Sequence, residues 1–201
     1  MKIILFIISL LSFAFAQTPT SGTCGDSAAA CTWTFHSGNG TLIISGTGAM
    51  KDYQHYGQYL PPWNSYKDQI KTVIIEKGIT SIGNYAFYST SLTSVIIGNN
   101  VKSIGNYAFQ YSKALKNVTI GTTVTSIGEY AFQGCSSLTS VAIGNSVTSV
   151  GNNAFQYSTA LKNVTIGNSV TSIGSSAFSG CSSLTSIKIP MYNHDKHQQY
   201  K

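Results

Sequence analysis

The chain has 201 residues, a formal charge of +6 and 9% charged residues, and its twelve basic residues are all lysine. That length is within reach of one domain. Without arginine forks or a clustered basic run, nucleic acid is not an expected partner. Six acids and four histidines, dispersed along the chain, cannot supply the convergent titratable groups of an active site, so neither an enzyme nor a cofactor is expected.

Residues 1–16 read as an export signal. Lys2 supplies the basic start, Ile3 to Leu11 is apolar apart from Ser9, and Ala14-Phe15-Ala16 matches the small-x-small cleavage pattern. The apolar run is too short to span a bilayer, and no later run reaches about 18 apolar residues. The mature chain is expected to start at Gln17 with a charge of +5, Lys2 being lost from the +6. It is expected to be secreted, extracellular or held at the cell surface.

Residues 17–69 read as an N-terminal cap. Thr18 to Asp26 is Thr/Ser/Gly-rich and extended. Cys24 and Cys31, in a compartment that permits disulfides, are expected to bridge and staple this edge. Thr32–Phe35 and Thr41–Ser45 are β-branched and aromatic runs around HSGNG, which predicts a hairpin. Gly46 to Met50 (GTGAM) lacks the longer glycine register of a nucleotide loop and reads as a turn. Pro62 is placed to open a short helix running to Lys67.

Residues 70–189 carry one pattern over and over. Ile70 to Ile75 is already half a copy, and five full copies follow from Ile79. The phenylalanines at 87, 109, 132, 155 and 178 step by 22, 23, 23 and 23, and the leucines at 92, 115, 138, 161 and 184 step by 23. A fixed period in the twenties is the mark of a leucine-rich-repeat solenoid. The expected fold is a β-rich, right-handed solenoid of five full coils behind a β-hairpin cap, with short parallel strands and short helical turns. In L-x-x-V-x-I the Val and Ile are two apart, so both point inward on a strand and the residue between them points out. The glycines at 83, 105, 128, 151 and 174 are expected to allow positive-φ turns, and the Ala-Phe pairs to form the helical turns. One coil cannot bury its apolar face alone, so stacking is obligatory.

A longer rhythm runs through the array. Copies two and four share AFQYSxALKNVTIG, while three and five share GCSSLTS, so the copied unit is 46 residues, a pair of coils. Cys135 and Cys181 occupy one register two coils apart. At about 4.8 Å per strand they lie about 10 Å apart, beyond disulfide reach, and read as small buried fillers. Residues 190–201 break the pattern and read as a polar tail. His194 and His197 have the spacing of a metal pair but no third ligand in sequence, so no metal site is expected. Either the tail folds over Leu184, Ile187 and Ile189, or that edge meets a partner.

VTSIGxxAFxxCSSLTSVxIG resembles the repeat of the BspA-like leucine-rich-repeat surface proteins, and CGD…CTWTF…GTLIISGTGAMKDY…PPW…YKDQIKTVIIEKGITSIG resembles the segment that introduces such arrays. The resemblance covers nearly all of the mature chain. It implies an exported or cell-surface protein that works by binding, often in adhesion, and it supplies no catalytic residues.

Two strips are candidate binding surfaces. The first is the outward residues of the strand ladder, centred on Lys116, Asn117, Thr119, Lys162, Asn163 and Thr165. Flat and polar, it suits a large partner, an extracellular protein or glycan, better than a small ligand. The second is Tyr85, Tyr107 and Tyr130, in one register of successive coils. Asn39, Asn117 and Asn163 each open an N-x-T sequon; glycans there would cover the strand strip. The leading expectation is a non-enzymatic adhesion or binding module. The alternative is a structural solenoid that forms homo-oligomers through its C-terminal edge.

Overall fold

A computed structural model of the chain describes residues 20–25 and 30–189. The export signal and the tail with His194 and His197 lie outside them.

The cap is a three-stranded antiparallel unit: β1 (Thr20–Thr23), β2 (Cys31–His36) and β3 (Thr41–Gly46). β2 and β3 form the expected hairpin, paired from Cys31↔Gly46 to His36↔Thr41. Its turn closes through Gly40, whose φ of 68° is open to glycine and whose N–H donates to the His36 carbonyl at 2.9 Å. Strand alternation sends Cys31, Trp33, Phe35, Leu42 and Ile44 inward. Cys24 and Cys31 are bridged, with Cα atoms 5.1 Å apart.

β4 (Gly48–Ala49) follows, and the expected helix after Pro62 is only a 3₁₀ turn at Asn64–Tyr66. Asn, Ser and Tyr are weak helix formers, and both Gln69 and Ile70 return their N–H to the Tyr66 carbonyl, which closes the turn. Its work is to seat Trp63. That side chain is buried, donates Nε1–H to the Ala86 carbonyl at 2.9 Å, and stacks on Phe87 with ring centroids 5.5 Å apart.

The array then alternates two kinds of strand. β5 (Thr72–Ile75), β7 (Ser94–Ile97), β9 (Asn117–Thr119), β11 (Ser140–Ala142), β13 (Asn163–Thr165) and β15 (Ser186–Lys188) carry the V-x-I pattern. β6 (Ile79–Ile82), β8 (Ser103–Ile104), β10 (Ser126–Ile127), β12 (Ser149–Val150) and β14 (Ser172–Ile173) carry the Ser-Ile pairs. All pairings within the array are parallel. The first set is ordered β1-β2-β3-β5-β7-β9 and, as a second sheet, β11-β13-β15; the other set is β4-β6-β8-β10-β12-β14. The cap therefore supplies the opening strand of both ladders: β3 pairs parallel with β5, and β4 with β6. It is the first turn of the solenoid.

Between the ladders the core repeats coil by coil. Phe87, Phe109, Phe132, Phe155 and Phe178 stack in a file with centroids 5.1, 5.1, 5.2 and 5.4 Å apart. Val95, Ile97, Val141, Ile143, Val164 and Ile166 are buried, as the pattern requires.

Two local expectations are corrected. The glycines after each Ser-Ile pair do not have positive φ. They are glycines because the preceding coil passes too close for a side chain: a Cβ on Gly128 would lie 2.6 Å from Asn106 Oδ1 and 2.7 Å from the Gly105 carbonyl carbon. The Ala-Phe segments are runs of tight turns, not helix. Tyr85, Tyr107, Tyr130, Asn153 and Ser176 sit at φ of 56–59°, which a helix cannot contain. A helix would keep every N–H inside its own coil. Here alternate residues donate forward, Tyr85 to Asn106, Phe87 to Ala108 and Ser89 to Gln110 at 2.7–3.1 Å, so the turns form a third ladder.

Candidate functional site

The strand ladder brings the first candidate set together. Register aligns Thr72, Ser94 and Asn117 in one column, continued by Ser140, Asn163 and Ser186. The next outward column is Ile74, Ile96 and Thr119, then Ala142, Thr165 and Lys188. Lys116, Asn117, Thr119, Lys162, Asn163 and Thr165 are all exposed. The side chains are braced along the file: Thr72 and Ser94 hydroxyls meet at 3.3 Å, and Ser186 Oγ donates to Asn163 Oδ1 at 3.1 Å. Asn39, the remaining sequon, is exposed at the hairpin turn with Oδ1 accepting the Thr41 N–H at 3.0 Å.

A third column lies at the strand entries. Lys71, Thr93 and Lys116 are joined through Thr93 N to Lys71 O and Lys116 N to Thr93 O, and Thr139, Lys162 and Thr185 through the equivalent bonds, at 2.7–3.0 Å. Thr93 and Thr185 also donate their hydroxyls to the Lys71 and Lys162 carbonyls, each at 3.0 Å. Lysine thus alternates with threonine. Lys71 belongs to this column although the sequence reading left it out; the signal was present, because Lys71 stands one repeat before Thr93.

The tyrosine strip is also assembled, on the turn ladder. Tyr85 stacks on Tyr107 at 4.5 Å and Tyr107 on Tyr130 at 4.9 Å, with the rings within 5° of parallel. Both faces of the Tyr107 ring are therefore used within the file, and all three tyrosines are half-buried. Burial, and secondarily the neighbouring Tyr107 phenol group, raises the Tyr85 pKa above its ordinary value. The cap joins this strip through His55, whose ring lies 5.2 Å from both Tyr85 and Tyr88. Its place could not be read from a segment outside the repeat.

Cys135 and Cys181 are unpaired and buried, as expected. Their thiols donate to the Phe109 and Phe155 carbonyls, as Ser112 and Ser158 do to Phe87 and Phe132. Burial pushes both thiol pKa values up, which keeps them inert. Two acids stand on the turn ladder, away from the lysine column, where Asp52 caps the Asn84 N–H at 2.8 Å and Glu129 accepts from Asn152 at 3.0 Å; Asp68 lies beside Lys71, at the column's first member. Among the described residues no group of three or more His, Cys, Asp or Glu is placed to hold a metal, and no helix is long and apolar enough to cross a membrane.

Residues 102–200 match the model of the BspA type leucine rich repeat region in six copies. From residue 102 the array is of the BspA leucine-rich-repeat type. It is similar to a leucine-rich repeat protein from Eubacterium ventriosum ATCC 27560, at 30% identity and a TM-score of 0.75, over 86% of this chain and 44% of that one. A leucine rich cell surface protein from Faecalibacterium prausnitzii A2-165 is 27% identical with a TM-score of 0.50, over 86% of this chain and 55% of that one. The T. pallidum leucine rich repeat protein shares the fold at 24% identity and a TM-score of 0.60, over 79% of this chain and 68% of that one. This chain thus spans less than half the length of the E. ventriosum protein. No match was found among curated proteins.

Proposed function

We propose that this chain is a non-enzymatic binding module, secreted or held at the cell surface, that engages an extracellular partner through the strand face. One observation carries the reading. The exposed Lys, Asn, Thr and Ser side chains of successive coils fall into straight columns on a ladder whose own hydrogen bonds are made along the stack. Such a face is rigid before contact, so a partner binds without a large ordering cost. The likeness to a cell surface protein supports the location. The test is saturable binding to an extracellular-matrix preparation, compared with the charge-reversed variant K116E/K162E. Binding that falls at least severalfold in the variant supports the strand face; unchanged binding removes it.

A second reading rests on the last coil. Ile173, Ile187 and Ile189 are 45%, 40% and 65% exposed, where their counterparts Ile127 and Val141 are buried. That apolar edge suits end-to-end association of copies, with oligomeric state as its measure.

A further inference from the structure

Three of the array's seven lysines line up once the chain is coiled. Lys71, Lys116 and Lys162 occupy one column with threonine between them. On the two even coils each lysine is followed by an exposed asparagine, Asn117 or Asn163. From Lys116 to Lys162 is two coils, and the Phe rings of those coils step by 5.1 and 5.2 Å. The cation-plus-amide pair therefore recurs about every 10 Å, two strand spacings. Lys71 Nζ is held against the Asp68 carbonyl at 3.3 Å, and no ion pair binds Lys116 or Lys162 to a carboxylate among the described residues.

Resting on the strand-face reading above, we propose that this column binds a linear acidic polysaccharide bearing one anionic group per disaccharide. Spacing and chemistry select it. Duplex DNA carries one charge per about 1.7 Å, several for each lysine here, and this face offers no aromatic platform for unpaired bases. An extended peptide would add at an open sheet edge; β7 and β13 are paired on both sides, and at the one break in the ladder β9 and β11 lie side by side, which leaves no room for an added strand. A sugar chain asks for something else: hydroxyl and amide partners along a flat face, with a cation at every second ring. The Thr/Ser coils between the Lys-Asn coils supply the hydroxyls. The 46-residue copying unit is then also the ligand's repeat.

Calorimetric titration with hyaluronan oligosaccharides, which carry one carboxylate per disaccharide, tests this, with a neutral β-glucan of equal length as control. Lys116→Thr with Lys162→Thr places in both coils the residue their neighbours already have, so the fold is kept. That variant should lose about tenfold in affinity, two exposed charge contacts of somewhat under 1 kcal/mol each. Lys102→Thr with Lys113→Ser, equal in charge change but outside the column, should stay within about twofold. Equal losses in both variants, or equal binding of the neutral glucan, would overturn the proposal. So would glycans found on Asn117 and Asn163 of the native secreted protein. Matrix binding that K116E/K162E abolishes, with no hyaluronan binding, would overturn the polysaccharide and leave the strand-face reading standing. Binding to neither would overturn both.

Discussion

At the scale of single residues, the repeat's glycines do different work at positions that look alike. Gly144 and Gly167 follow the inward Ile of successive coils. A Cβ on Gly144 meets nothing within 4 Å, whereas one on Gly167 would lie 2.3 Å from the Gly144 carbonyl oxygen. Neither has positive φ. Gly144→Ala should therefore be neutral or stabilise by up to about 1 kcal/mol, through a less flexible unfolded chain. Gly167→Ala should cost about 1–3 kcal/mol through overpacking between coils. Urea denaturation of the two variants checks this, and similar midpoints would contradict the close-approach account. Close approach and backbone conformation together accompany the 46-residue rhythm, since Gly134 and Gly180 sit at φ of 69° and 73°. A Cβ on Gly134 would lie 2.6 Å from the Tyr111 ring, and one on Gly180 would lie 2.4 Å from that of Tyr157. Each Tyr coil needs a Gly coil next to it.

At the scale of elements, the turn ladder carries two aromatic files with different energetics. The Phe file is the buried centre of the array, and Trp63 closes its first end. The Tyr file sits on left-handed backbone, where a bulky residue is disfavoured and Asn is better tolerated; Asn153 occupies that register in the fourth coil. Phe109→Ala should cost about 3–5 kcal/mol. In Tyr107→Asn the lost stacking, about 0.5–1.5 kcal/mol per pair, is partly offset by relief of backbone strain, leaving a net loss of at most about 2 kcal/mol. Thermal unfolding of both variants distinguishes a structural Phe file from a Tyr file kept for its exposed edge. A loss at Tyr107 as large as at Phe109 would make the tyrosines structural.

At the scale of the whole molecule, a solenoid is stabilised by its neighbours, and an end coil has only one. The N-terminal end is closed by the hairpin, the Cys24–Cys31 bridge and Trp63. Among the described residues, the other end presents Ile173, Ile187 and Ile189. If copies associate there, sizing chromatography should show concentration-dependent oligomers that vanish in I187K/I189K. A monomer at every concentration would remove the self-association reading.

The period, the inward Val, Ile, Leu and Phe, the hairpin and the bridging cysteines were legible in the chain, because each depends on local spacing or on repetition. The strand strip at Lys116, Asn117, Thr119, Lys162, Asn163 and Thr165 was legible for the same reason: residues one period apart must stack. What the chain alone could not decide is what happens between coils. Gly128 reads as a turn glycine until the neighbouring backbone is seen beside it. Ala-Phe reads as a helical turn until its N–H groups are followed into the next coil. Lys71 joins Lys116 and Lys162, and His55 joins Tyr85, only because distant segments are brought into one register. Sequence spacing fixes which way a residue points within its coil; the packing of one coil on another decides what it meets there.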